Sequence, residues 1–175
     1  MKPNFNGLQN VYIHPGEAVF SGNPIVVSTV LGSCLSITMF SRKIKYAGIS
    51  HCQLPDCRSC DLNCDNCSDP YKYVNCTINQ MIKKFEEMKI QRKDIEVKIF
   101  GGADVLKNSP GEKRISTVGR QNIQMALESL AKNNMSAITT DVGGTFGRKI
   151  FFLTETGEIF LNRLRNNGKN KSINS

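Results

Sequence analysis

The feature that most constrains this chain is a pair of alternating segments, one opened by a cysteine and the other closed by a histidine. Cys34 follows a Gly-Ser turn and opens a run in which apolar residues alternate with Ser and Thr. A second run, Tyr46 to Ser50, ends directly before His51, seventeen residues after the cysteine. Such alternation is typical of strands with one buried face. The polar residues 41–43 between the runs therefore predict a β-hairpin.

This hairpin would bring a nucleophile and a base together. Cysteine attacks as the thiolate, so it needs an accessible position and a lowered pKa. The turn at Gly32-Ser33 is expected to supply both through its backbone N–H groups, which could also bind an oxyanion. His51 is the candidate base, because the other histidine, His14, precedes a proline.

A third group is needed to hold the far ring nitrogen of the base. Ser28 and Thr29, on the run that leads into Cys34, are the local candidates. The alternative reading is that Cys34 is a small core residue, since free cysteine is often buried for packing alone.

The other segments predict strands, mostly in hairpins, and two amphipathic helices separated by one strand. The first helix surrounds Ile78–Met88, with Asn75 or Thr77 as its cap, and the second covers about Thr117–Lys132. Too few strands are followed by helices for a doubly wound sheet, so the class is α/β with a large antiparallel component. We expect one domain over residues 1–166 and a disordered basic tail over 167–175.

Charge and hydropathy narrow the function classes. The net charge is +8, but the basic residues are interleaved with acidic ones and form no nucleic-acid docking motif. An acidic partner is therefore expected, either an anionic membrane surface or an acidic protein, and nucleic acid is not. No apolar run approaches a membrane span, and the first residues lack the apolar region of a secretory signal. We expect a cytoplasmic protein that does not insert into membranes.

A glycine-rich run, Gly143-Gly144-Thr145-Phe146-Gly147, is the second conspicuous motif. Glycine permits positive φ and close backbone approach, so Gly143, Gly144, Thr145 and Phe146 could line a substrate cleft. A tight structural turn explains the same residues equally well. Phosphate binding is not expected, because no Lys-Ser pair and helix follow.

The segment 56–69, called the cysteine loop below, is different in kind. Cys57, Cys60, Cys64 and Cys67 form C-x₂-C-x₃-C-x₂-C within eleven residues. Four thiolates suit a structural zinc ion or an iron–sulfur cluster, although the three-residue spacer is short for a zinc ribbon. A thiol–disulfide switch and surface cysteines without function are the alternatives. Cys76 is expected in the core.

Four motifs together resemble the CheD family, the chemoreceptor glutamine deamidases. They stand in the family's order over roughly residues 10–165, and the Cys-to-His interval agrees; they are residues 31–34 (LGSC), 51–55 (HCQLP), 100–103 (FGGA) and 141–149 (DVGGTFGRK). The resemblance implies an α/β/β layered sandwich with mostly antiparallel strands and two main helices, like the deamidase domain of cytotoxic necrotizing factor toxins.

The resemblance also implies an activity. Cys34 corresponds to the nucleophile and His51 to the general base of an amidohydrolase that converts receptor glutamines to glutamates and releases ammonia. A methylesterase side activity is left open, and no cofactor is required for catalysis. The family's third residue is a threonine commonly six positions before the cysteine. That position holds Ser28 here, with Thr29 beside it.

The implied partners are methyl-accepting chemotaxis receptors, whose helical signalling regions are generally acidic, and a CheC-type phosphatase. The resemblance implies nothing for the cysteine loop. One competing hypothesis is a non-catalytic adaptor that binds receptor or phosphatase and in which Cys34 is structural. Another is a metalloprotein in which the loop cysteines and His51 hold a catalytic metal.

Overall fold

The strands and helices follow the hydrophobic pattern closely. The computed structural model describes residues 5, 7–60, 64–104 and 117–164, so the predicted tail at 167–175 lies outside the described residues. The strands are β1 (Gln9–Tyr12), β2 (Ala18–Ser21), β3 (Ile25–Leu31), β4 (Leu35–Ser41), β5 (Tyr46–Ser50), β6 (Glu96–Gly101), β7 (Ala137–Val142), β8 (Gly147–Leu153) and β9 (Ile159–Leu164). The helices are α1 (Val74–Glu87) and α2 (Val118–Lys132), with a short 3₁₀ turn at Arg92–Asp94.

The strands form two mixed sheets. One has four strands in the order β1-β3-β8-β9, and the other has five in the order β2-β5-β4-β6-β7. Only β1–β3 and β6–β7 are parallel among the strand pairs of the described chain. The α/β class with mainly antiparallel pairing is therefore confirmed. The predicted hairpin is confirmed as well, because β4 and β5 pair antiparallel from Thr38–Ile49 to Ser41–Tyr46.

Alternation along the strands creates two cores. On β4, Leu35, Ile37 and Met39 pack with apolar residues of α1 and α2. On the opposite face, Phe40 packs with residues of the four-stranded sheet such as Val27. The five-stranded sheet is thus covered by helices on one side and by the second sheet on the other, giving helix, sheet and sheet layers.

The helix starts differ in how they are capped. α2 begins at Thr117 as N-cap, where the hydroxyl accepts a hydrogen bond from the Arg120 amide. The predicted caps of α1 are wrong, because its N-cap is Tyr73 and no side chain caps it. No helix in the described ranges is long and apolar enough to cross a membrane.

Candidate active site

The hairpin register places Cys34 and His51 on one face of the five-stranded sheet. The β4–β5 pairing continues past β5 as a bridge between Leu35 and Cys52, with N–O distances of 2.9 and 2.7 Å. In this register Cys34 and His51 are diagonal neighbours, a spacing at which side chains can interact. Their face is the one that carries Ala47 and Ile49, which pack against the four-stranded sheet. The nucleophile and base candidates therefore lie between the sheets.

The opposing sheet contributes Thr29. On β3, Val27 and Leu31 belong to the core between the sheets, and Thr29 lies between them with the same parity. Its hydroxyl is 2.7 Å from Nδ1 of His51, and both side chains are buried. Thr29 therefore contacts the candidate base directly.

Ser28 has the opposite parity on β3. It is the cross-strand partner of Phe151, whose ring contacts Phe5, so it belongs to the outer face of this sheet. Successive residues of a strand point to opposite faces of the sheet, so Ser28 and Thr29 cannot both face His51. The geometry favours Thr29 over Ser28 as the residue that orients His51.

The hydrogen bonds of Thr29 also assign the protons of the imidazole ring. A threonine hydroxyl has one proton, and Thr29 donates it to the Ile13 carbonyl at 2.9 Å. The oxygen must then accept from Nδ1 of His51, so the ring proton lies on Nδ1. Nε2 is buried without a hydrogen-bond partner among the described residues. This nitrogen has a free lone pair and is the basic atom of the site.

Burial sets the charge state of both groups. It lowers the pKa of His51 to about 4, although a hydrogen bond to the Ile13 backbone opposes the shift. Burial also raises the pKa of the Cys34 thiol, more than its own backbone hydrogen bond lowers it. The predicted lowering by the turn is present in this backbone hydrogen bond, but desolvation outweighs it and the net shift of the Cys34 pKa is upward. The resting site holds a neutral thiol and a neutral imidazole.

The backbone before the thiol is fixed by three hydrogen bonds from neighbouring segments. The carbonyl of Gly32 accepts from Ala103 N at 2.8 Å, and that of Cys34 accepts from Gly102 N at 2.8 Å. The Ser33 carbonyl accepts from Asn122 Nδ2 at 3.0 Å. A peptide N–H points opposite to the C=O of the same planar unit. The Ser33 and Cys34 amides, which share units with the Gly32 and Ser33 carbonyls, are therefore held in fixed directions.

Asn122 is a site residue that sequence reasoning missed. It lies on α2, has no exposed surface, and donates through Nδ2 to both Ser33 O and Gln53 O, the latter at 3.1 Å. Ser33 directly precedes Cys34, and Gln53 lies two residues after His51. The available signal was an Asn at the spacing of the buried helix face, four residues before Ala126, since buried polar groups need partners.

The glycine-rich run forms a braced turn next to the FGGA segment. Gly143 and Gly144 have φ of 74° and 70°. The nearly buried Arg148 donates to Asp141 and to the carbonyls of Gly143 and Phe146. The run borders a depression of about 420 Å³ whose lining includes Thr145 but neither Cys34 nor His51. Gly143 N donates to Gly101 O at 2.8 Å, which joins this turn to the segment that holds Cys34.

The cysteine loop does not join the candidate base. It packs on α1, where Gln80 donates to Cys64 O and Lys83 forms an ion pair with Asp65. In the described chain, the group of side chains able to share a metal comprises Cys57, Cys60, Cys67 and Cys76, and it does not include His51. Cys76 thus takes the place of Cys64 in the predicted set. Cys76 is fully buried, as expected of a core residue, but it packs among the other cysteines.

Comparison with known proteins gives a consistent result. The family model described as CheD chemotactic sensory transduction matches residues 54–163. A protein of Geobacter sulfurreducens named probable chemoreceptor glutamine deamidase CheD 2 is 41% identical, over 90% of this chain and 91% of the relative. A Maridesulfovibrio salexigens protein named probable chemoreceptor glutamine deamidase CheD is 33% identical, over 94% of this chain and 97% of the relative. The resemblance carried by the four motifs is confirmed: the chain belongs to the CheD family.

Proposed function

We propose that this protein is a chemoreceptor glutamine deamidase, an amidohydrolase that converts receptor glutamine side chains to glutamate in chemotaxis adaptation. The names of its relatives support this activity. The observation that carries the mechanism is the 2.7 Å contact between Thr29 Oγ1 and His51 Nδ1, which leaves Nε2 unpartnered on the face shared with Cys34. An oriented base beside a thiol is the arrangement that nucleophilic acyl transfer requires.

In the first step, Nε2 of His51 removes the proton of the Cys34 thiol as the sulfur attacks the carboxamide carbon. Both groups are neutral at rest, because burial lowers the pKa of His51 and raises that of Cys34. The attacking thiolate is therefore formed within the catalytic cycle, by transfer of the thiol proton to Nε2. A C–S bond forms, and the carbonyl π electrons move to oxygen as an oxyanion.

The Ser33 and Cys34 amides are the proposed oxyanion donors, in the turn that begins at Gly32. Ala103 and Asn122 hold the carbonyls of the two peptide units that contain these amides. Donors fixed before the reaction need no reorganisation as charge develops, which is why such groups contribute strongly to catalysis.

Collapse of the oxyanion breaks the C–N bond. Protonated His51 gives its proton to the leaving nitrogen, and ammonia departs from a Cys34 thioester. Neutral His51 then removes a proton from water, which attacks the thioester and restores the thiol. The sum is carboxamide plus water to carboxylate plus ammonium. Water and the protein's own groups supply every atom, so the proposed reaction requires no cofactor.

The substrate and location follow from charge and family. A chain of net charge +8 would meet an acidic receptor helix faster than a neutral one, because complementary charge speeds encounter. The braced turn at 143–146 is the proposed edge of the receptor cleft. We further propose a cytoplasmic protein, a single deamidase domain over 1–166 that shares the layer order of the cytotoxic necrotizing factor domain, and a CheC-type phosphatase as a second partner.

The test is to incubate the protein with a receptor signalling fragment that contains glutamines. We expect ammonia release together with the deamidation mass increase on receptor peptides, detected by mass spectrometry. Cys34→Ala should reduce the rate by at least about 10³-fold, as loss of a nucleophile does in related chemistry. Receptor binding without ammonia release by the wild-type protein would favour the adaptor hypothesis instead.

A further inference from the structure

Five of the seven cysteines lie together in a cluster that does not include Cys34. Cys57, Cys60, Cys64 and Cys67 come from the cysteine loop, and Cys76 comes from the first turn of α1. Cys64 and Cys76 are at most 1% exposed and Cys57 is 9% exposed, so the thiols form a small core of their own. Such a concentration of soft ligands is more than packing requires.

Four of these sulfurs have the spacing of ligands to one ion. The sulfurs of Cys57, Cys60, Cys67 and Cys76 all lie within 4.8 Å of one another. With Zn–S bonds of about 2.3 Å, the sulfurs of a tetrahedral site are about 3.8 Å apart. The sulfurs of Cys57 and Cys60, which are bonded at 2.01 Å, must therefore separate on reduction, while the wider pairs contract slightly. In an iron–sulfur cluster the four cysteines are divided between two or four irons, which spreads the ligands more widely than a single ion does.

We propose that the reduced protein binds one zinc ion through Cys57, Cys60, Cys67 and Cys76. This set is not the one that spacing alone predicts, because helix α1 supplies the fourth ligand and Cys64 is excluded. The site is of the closed Cys₄ kind, without an open position for substrate, so its role is structural.

The start of α1 holds Cys76 against the cysteine loop. Cys76 is the third residue of the helix and is fully buried among the other cysteines. Asn75 adds a second tie, because its Oδ1 accepts from the amides of Cys57 and Cys76, at 3.3 and 2.8 Å.

The same cysteines can instead form disulfides, and the structure pairs Cys57 with Cys60 and Cys64 with Cys76 while Cys67 is free. A thiol or phosphine reductant supplies the two electrons that convert each disulfide to two thiols, with two protons from solvent. Zinc then displaces one proton from each of its four ligands. The disulfide state uses Cys64 and leaves Cys67 free, whereas the zinc state uses Cys67 and leaves Cys64 free. Substitutions at these two positions therefore distinguish the two states.

The zinc bond would anchor the loop beside the catalytic hairpin. The segment after His51 is tied to the start of α1, with Gln53 N bonded to Lys72 O at 2.9 Å and Val74 N bonded to Leu54 O at 2.9 Å. Ligands on both sides of this junction close the chain from Cys57 to Cys76 into one unit. Metal binding should therefore raise the thermal unfolding temperature of the whole protein.

The experiment measures zinc in full-length protein purified with a phosphine reductant, by elemental analysis and by competition with a chromophoric chelator. We expect one zinc per chain and, after exchange with Co²⁺, the visible bands of a tetrahedral thiolate site. Cys67→Ser should lower the zinc affinity by more than about 100-fold, because one of four ligands is lost. Cys64→Ser should retain one zinc per chain.

Cys34→Ala is the matched control, since it removes a cysteine outside the cluster and should leave the zinc content unchanged. Reduced wild-type protein that binds no zinc would overturn the proposal and leave the disulfides as the state of the cluster. Loss of zinc in Cys64→Ser with retention in Cys67→Ser would overturn the ligand set. Because the readout is metal content, either result is independent of whether the protein deamidates receptors.

Discussion

The group proposed to be catalytic (Cys34, His51 and Thr29; called the catalytic group below) and the cysteine cluster (Cys57, Cys60, Cys64, Cys67 and Cys76) place the same side chain in opposite surroundings. In the catalytic group a single thiol shares a sheet face with a base that has a free nitrogen. In the cluster, cysteine sulfurs face one another, four of them paired in disulfides, and no histidine joins them in the described chain. The neighbouring residues, and not the residue type, decide whether a cysteine is suited to act as a nucleophile or as a structural cross-link or ligand.

Cys52 shows the same lesson between the two regions. It follows His51 in sequence but lies on the opposite strand face, among residues covered by the helices. Complete burial raises its thiol pKa to about 11, so it is inert at neutral pH. One step along a strand separates a candidate base from a packing residue.

The largest effect should come from removing the hydroxyl that distinguishes the catalytic group from the cluster. Thr29→Val should lower kcat/KM for ammonia release by at least about 100-fold, because the imidazole loses the acceptor that fixes its proton on Nδ1. Thr29→Ser should recover most of the activity. Ser28→Ala, on the other sheet face, should cost less than about threefold; equal losses at both positions would show that orientation is not set by Thr29.

The next prediction concerns the free energy of unfolding. Backbone contacts fix the catalytic group in place, whereas sulfur atoms fix the cluster. Gly101 has φ of 110°, and a Cβ there would lie 2.3 Å from Cys34 O. Gly101→Ala should lower the free energy of unfolding by about 3 kcal/mol, combining a strained φ with a clash. Gly144 also has a positive φ, of 70°, but no neighbour within 4 Å, so about 1 kcal/mol is expected for Gly144→Ala. Urea denaturation measures both, and equal losses would mean that contact with Cys34 contributes nothing.

The smallest effect is a pH dependence of stability that arises in the catalytic group, at His51. The pKa of His51 is lowered to about 4 in the folded state by burial, against about 6.5 in the unfolded chain. As pH falls below about 6.5, protons bind the unfolded state preferentially and the free energy of unfolding drops until about pH 4. Between about pH 6.5 and 5.5 the loss should be about 1 kcal/mol.

His51→Gln should remove this component of the pH dependence while leaving that of the carboxylates. The measurement is chemical denaturation at several pH values for both proteins. Parallel stability curves for wild type and variant over this range would mean that His51 titrates alike in both states.

Sequence pattern predicted most of this fold because alternation and amphipathic spacing record burial locally. The hairpin that carries Cys34 and His51 and both helices agree with it. Alternation along β3 also distinguishes Ser28 from Thr29. Val27 and Leu31 face the second sheet, so Thr29 faces it as well and Ser28 does not.

The features that pattern could not supply are contacts between segments distant in sequence. Asn122 reaches two carbonyls that lie 89 and 69 positions away, and no local rule predicts such a bridge. Cys76 looked like an ordinary helix residue because its neighbours come from a loop that folds back onto α1. The direction of the Cys34 pKa depended on desolvation, which requires knowing what covers the thiol.

The Ile13 carbonyl is a small feature with a large consequence. By taking the only proton of Thr29, a residue just beyond the first strand determines which imidazole nitrogen is basic. The β1 segment, short and largely exposed, could be mistaken for a dispensable extension. Displacing it would leave the threonine hydroxyl free to rotate and the imidazole free to exchange tautomers. In the proposed mechanism, the reactivity of the Cys34 thiol therefore depends on whether this peripheral strand is ordered.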